Sequence, residues 1–201
     1  VRYFHRMQIS VPKERAARET RVALVPESVA KLVKAGATVV VEKDAGLASG
    51  FTTEQYEKAG ARIAADFAAT VSGATVTCKV QPATAAEAAA LPTGSAAVSY
   101  WLPYGTPDAL AALQGRGVKL LALEKVPRIT RAQSMDVLSS QATVSGYKAV
   151  LMGASALPKL LPMLSTAAGT LAPAKVFVIG AGVAGLQAIA TARRLGGIVS
   201  G

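Results

Sequence analysis

The sequence predicts an α/β protein built on mainly parallel sheets, and three observations predict it. Short apolar strand patterns alternate with helical ones from Met7 to Leu123, the rhythm of a parallel sheet with crossover helices. The run Val176–Ile179 leads through Gly180-x-Gly182-x-x-Gly185 into a helical pattern over Leu186–Leu195. Between these regions, after Val126-Pro127, the texture turns polar and charged before a long apolar helical pattern over 137–153. The expectation is two Rossmann-like lobes, the second truncated at its C-terminus. Residues 1–6 read as an extension, 7–135 as the first lobe, 136–172 as linker helix and connector, and 173–201 as the start of the second lobe.

The first lobe reads in order. Met7–Val11 is a short strand, left through Pro12-Lys13-Glu14-Arg15. Pro26-Glu27-Ser28 opens a helix with Val29, Leu32 and Val33 on one face, and Gly36 ends it. Ala37–Glu42 is the next strand, followed by a loop over Gly46–Gly50. Thr52-x-x-Gln55 is a capping box for a helix through Ala59, since each side chain can serve the other's backbone N–H. A helix near Asp66–Val71 leads to the strand Thr75–Val80, and Thr84-x-x-Glu87 caps an Ala-rich helix. Ala96–Trp101 is a strand, and Thr106-Pro107-Asp108 starts a helix expected to turn Leu110 and Leu113 inward. Val118–Leu123 is the fifth strand.

Composition narrows the function classes. The chain has 201 residues, 51% of them hydrophobic but only 5% aromatic, so its core must be built from small aliphatic side chains. A formal charge of +10 invites nucleic acid, but the Lys and Arg residues are scattered and no aromatics alternate with them, which argues against that partner. The surplus suits an acidic partner or a membrane face instead. The single cysteine, Cys78, lies in a strand-like run and reads as a buried apolar residue. No metal-ligand cluster or membrane-spanning pattern is present. The basic residues before Met7 read as the remnant of a cleaved organelle-targeting sequence or of an expression tag, the former favoured.

The glycine motif carries the chemistry. An unbroken β-branched and aromatic run such as Val176–Ile179 reads as a strand buried on both faces. Gly180 then permits a tight turn, Gly182 lets backbone approach a pyrophosphate, and Gly185 lets helix and strand pack closely. Ala181 and Val183 lie in the same turn, and the helix start offers free N–H groups and a positive dipole end to phosphate. The acid expected about 20 residues further on, which holds the adenosine ribose, would fall beyond Gly201.

Several stretches together resemble the NAD(H)-binding domain of proton-translocating NAD(P) transhydrogenase. They are Val11–Arg15, Glu19–Leu24, Pro127–Tyr147, Thr166–Thr170 and Pro173–Leu195, and the most specific is Arg128–Asp136 followed by Ser139-Ser140-Gln141. The resemblance implies two lobes with a cleft, usually dimeric, that bind NAD(H) and pass hydride to NADP(H) held on a separate domain or chain beside a membrane domain. It places Arg128, Gln133, Asp136 and Ser139 in the catalytic loop, with Ser134 and Met135 beside the cofactor. Such chemistry moves no proton, so it needs no general acid or base. It needs two nicotinamide rings at about 3–3.5 Å in a pocket that excludes water. Gln133 can fix the carboxamide, Asp136 and Ser139 can order the loop or the ribose, and Arg128 can hold a phosphate or pair with Asp136.

Alanine dehydrogenases share the first strand, the Arg-Val-Ala pattern and the glycine motif, and Arg21 and Lys79 match their substrate-binding Arg and Lys. Members of that group use a first-lobe histidine, whereas the only histidine here is His5, and Trp101 or its neighbours stand at the corresponding place. Two readings follow from the short second lobe. The chain is either a component of a transhydrogenase completed by another polypeptide and inactive alone, or a silent paralogue serving as a structural subunit of a membrane complex. The expected place is the matrix side of the mitochondrial inner membrane, with the bacterial cytoplasmic face as the alternative.

Overall fold

The computed structural model describes residues 7–101 and 105–201. The N-terminal extension, His5 included, lies outside the described residues. The chain forms two compact units that part between Val126 and Pro127, so the polar stretch 128–136 belongs to the second.

The first unit alternates strand and helix throughout: β1 (Gln8–Val11), α1 (Pro26–Lys34), β2 (Thr38–Glu42), α2 (Thr53–Lys58), β3 (Arg62–Ala64), α3 (Phe67–Val71), β4 (Val76–Cys78), α4 (Ala85–Ala90), β5 (Ala96–Ser99), α5 (Pro107–Gly115) and β6 (Lys119–Ala122). The six strands form one sheet in the order β3-β2-β1-β4-β5-β6, and every pairing is parallel. The order reverses between β1 and β4, the place where such sheets open a crevice at the carboxyl ends of their strands. Local chemistry explains the helix starts. Thr52 with Gln55 and Thr84 with Glu87 form reciprocal capping boxes, Asp66 and Thr106 accept from the third helical N–H, and Pro26 and Pro107 sit at first helical positions.

Two apolar clusters fill the unit. Ile9, Val11, Val39 and Val41 pack with Val29 and Tyr56; Val71, Leu91, Ala97, Trp101 and Leu113 form the other. Ser10, between Ile9 and Val11, is also fully buried and donates to Thr77 Oγ1 at 2.9 Å. Consecutive buried residues mean that both faces of β1 are covered.

Two expectations are corrected in this unit. In α5 the inward residues are Ala109 and Leu113, while Leu110 is 46% exposed; the buried stripe runs at i, i+4, and Leu110 falls one position off it. The strand at Lys119–Ala122 is the sixth, because the three-residue edge strand β3, led by the exposed Arg62, offers no apolar run to read.

The second unit begins with a 3-10 turn (Thr130–Met135), followed by the twenty-residue helix α6 (Val137–Ala156). An antiparallel hairpin, β7 (Leu164–Thr166) and β8 (Gly169–Leu171), interrupts the connector. Then come β9 (Lys175–Phe177), α7 (Val183–Arg194) and β10 (Ile198–Ser200), with β10 parallel to β9. The run Val176–Ile179 is not buried on both faces. Val176 and Val178 are partly covered, whereas Phe177 is 72% and Ile179 is 91% exposed. The reason is strand alternation: one side lies against α7, as the approach of Val178 to Gly185 shows, and the other is bare here.

Candidate functional site

The glycine turn has the geometry its sequence calls for. Gly180 adopts φ 95°, the left-handed region that glycine enters without steric cost. A Cβ on Gly185 would overlap the carbonyl oxygen of Gly180, so helix and strand meet at a distance only glycine allows. Gly182 is the N-cap residue of α7, supplies no side-chain cap, and faces open space. The first-turn amides are therefore left to an outside acceptor.

Opposite this turn stands the start of α6. Asp136 is its N-cap and accepts from Ser139 twice, from the backbone N–H at 3.0 Å and from the hydroxyl at 2.7 Å. These two hydrogen bonds, helped by the more distant charge of Arg128, hold the Asp136 carboxyl below its ordinary range. Arg128 and Asp136 form no ion pair at contact distance among the described residues; the guanidinium is exposed.

A pocket of about 380 Å³ joins the two features. Arg128 and the α6 residues Leu138, Ser139 and Ala142 form one side, and Ile179, Gly180 and Gly182–Gly185 the other. The structure thus brings together Arg128, Ser139, Gly180, Gly182, Val183 and Gly185. Gln133, Ser134 and Met135 lie instead on the exposed 3-10 turn, anchored by buried Ala132, and Ala181 and Asp136 are absent from the lining. Leu138, Ala142 and Ala184 line the pocket without having been singled out in the sequence. The spacing of Ser139 and Ala142 at i, i+3 was the available signal.

The first unit has a crevice of its own at the β1/β4 switch point, about 560 Å³, lined in part by Ala16, Glu19, Gln81, Thr84 and Thr106. Charged groups satisfy one another beside it. Lys79 Nζ donates to both oxygens of Glu87 at 3.0 and 3.1 Å and lies 3.9 Å from Glu14. Glu14 accepts from the N–H groups of Val80 and Gln81, and burial outweighs these bonds to raise its pKa. Arg21 donates to Glu19 at 2.7–2.8 Å. Trp101 is a core residue whose backbone N–H donates to Glu124 Oε2; residues 102–104 are outside the described residues. No group of three acids, histidines or cysteines that could hold a metal occurs among the described residues.

Comparison with known proteins gives this geometry a family. The "Alanine dehydrogenase/PNT, N-terminal domain" profile matches residues 10–145, and the corresponding C-terminal domain profile matches 149–201. The chain belongs to the alanine dehydrogenase/PNT family. It is 46% identical over 198 residues to an NAD(P) transhydrogenase subunit alpha polypeptide of Rhodospirillum rubrum, covering 96% of this chain and 52% of that protein. A crystal structure of transhydrogenase from Sinorhizobium meliloti superposes with a TM-score of 0.90 at 49% identity, over 96% of this chain and 57% of that one. Alanine dehydrogenase is a more distant relative: that of Bacillus subtilis is 35% identical over 197 residues, 96% of this chain and 51% of that protein. The chain thus spans about half the length of the curated relatives it matches. No helix among the described residues is long and apolar enough to cross a membrane.

Proposed function

We propose that this chain is the NAD(H)-holding component of an NAD(P) transhydrogenase, placing the nicotinamide for direct hydride exchange with NADP(H) on a separate domain or chain. The observation that carries the reading is the single pocket shared by Arg128, Ser139 and the Gly180–Gly185 turn. The residues fit a dinucleotide. Gly182 leaves room for a pyrophosphate, the uncapped start of α7 supplies amides and a positive dipole end, and Arg128 adds a full charge beside them. When bound, the cofactor supplies the hydride chemistry. The chain's residues bind and orient it: Arg128 takes a phosphate, Gln133 the carboxamide, and Asp136 with Ser139 sets the loop or a ribose hydroxyl. The NADP(H)-binding and membrane components, with a second copy of this domain, are the expected partners at the membrane face.

Calorimetric titration of NADH into the chain, or into its native assembly, tests this beside the Arg128→Ala/Asp136→Ala double variant. We expect micromolar binding that the double variant weakens by about tenfold or more, the worth of a hydrogen bond to a charged group. An intact assembly that takes up no NADH would overturn the reading in favour of a silent structural subunit.

A further inference from the structure

We infer that Gly146 is a positioning residue of this site: the close crossing of α6 and α7 that it permits sets where the Gly180–Gly185 turn stands relative to Arg128 and Ser139. The inference deepens the nucleotide reading, on which its binding arm rests.

Gly146 is the only buried residue of the twenty in α6. A Cβ there would overlap the carbonyl oxygen of Ala184 and crowd the carbonyl carbon at 2.9 Å and the Cα at 3.1 Å. All three are backbone atoms at the first turn of α7, so no rotamer change can make room. The start of the helix itself would have to move, and the Gly182 cap with it. One face of α6 explains why this matters. Ser139 and Ala142 line the pocket, Gly146 follows one turn later at the crossing, and Val150 and Gly153 continue the face into an apolar groove against β9. A glycine inside a helix is disfavoured relative to alanine; at 146 the close approach gives a reason for it. Gly153, in the same helix, has nothing within 4 Å of where its Cβ would be, and is the internal control.

The test uses the full chain carrying Gly146→Ala or Gly153→Ala, read by amide resonances, thermal midpoint and NADH titration. We expect Gly146→Ala to displace the amide resonances of residues 180–185 and to weaken NADH binding by about tenfold, equivalent to losing one charged hydrogen bond. Gly153→Ala should leave those resonances and the affinity in place and hold or raise the midpoint. Unmoved turn resonances in folded Gly146→Ala would overturn the inference, as would equal displacement by both variants. If Gly146→Ala does not fold, the unmodified chain decides: nuclear Overhauser contacts between the Gly146 α-protons and Ala184 should be present, and their absence would overturn the inference. Absence of NADH binding by the unmodified native assembly sinks the functional reading alone, because the resonance comparison still decides the role of Gly146.

Discussion

Ser139 binds the Asp136 carboxylate through two atoms, its backbone N–H on Oδ1 and its hydroxyl on Oδ2. The first bond is an ordinary helix cap. The second fixes the rotation of the carboxylate beside a pocket wall that Ser139 itself forms. Ser139→Ala should keep the cap and lose the hydroxyl bond, lifting the Asp136 pKa back toward its ordinary value. For a lowered carboxyl pKa, the stabilising contribution is present above the unfolded value and lost as pH falls through the folded one. The variant should therefore lose that contribution at higher pH than the parent, and carboxyl carbon shifts followed against pH would show it. An unchanged Asp136 titration would contradict this account of the carboxylate.

Glu19 gives the first unit a pH dependence of its own. The Arg21 guanidinium, then Gln81, hold its carboxyl down to about 2 against an opposing effect of burial. Its contribution is present above its ordinary value of 4.5 and is lost as pH falls toward 2. Glu14, raised by burial, has the opposite sign: its contribution is present at low pH and lost as pH rises through its ordinary value. The two act on opposite sides of pH 4.5. Glu19→Gln should flatten the fall in unfolding free energy between pH 4.5 and 2, and Glu14→Gln should remove a loss that sets in as pH rises above 4.5. Denaturant unfolding on both sides of that value checks both signs.

Lys79 is 6% exposed between Glu14 at 3% and Glu87 at 11%. Lys79→Met removes the cation between Glu14 and Glu87, leaving Glu87 with Arg15 at 3.8 Å, a loss expected at about 3–5 kcal/mol for breaking one side of a buried charge cluster. Equilibrium unfolding in urea measures it. A loss below about 1 kcal/mol, the range of an exposed pair, would mean that the glutamates relax to water.

The inward and outward leucines of α5 make a paired test. Leu113→Ala should cost about 2–5 kcal/mol, as for a fully buried leucine. Leu110→Ala should stay within about 0.5 kcal/mol, as for an exposed position. The reverse order would restore the inward reading of Leu110.

Much of the first unit was legible because its signals are local. The capping boxes at Thr52 and Thr84, the proline helix starts at Pro26 and Pro107, and the apolar runs of β1 and β2 each fix structure over a few residues. Cys78, read as a buried apolar residue, is half-buried at the edge of a core cluster, and burial pushes its thiol up to about 11. What was not legible depends on contacts between distant residues. No spacing in the sequence says that Glu14 will accept from Val80, 66 positions away, or that Gly146 will meet Ala184. Strand β3 and the hairpin β7–β8 are too short for periodicity to register. The exposure of Phe177 and Ile179 could not be read at all, because an apolar run carries no record of which face is covered. The same limit applies at the site: the glycine turn is a local motif, whereas its meeting with Arg128, Leu138 and Ala142 is a tertiary fact.

Hydrogen–deuterium exchange with and without NADH tests the central claim most directly, because it reports where the nucleotide sits as well as whether it binds. The account predicts slower exchange in peptides covering 127–142 and 179–190, with the β1/β4 crevice unchanged. Protection confined to residues 14–21 and 79–87 would place the ligand in the first unit and contradict the assignment of the Gly180–Gly185 pocket.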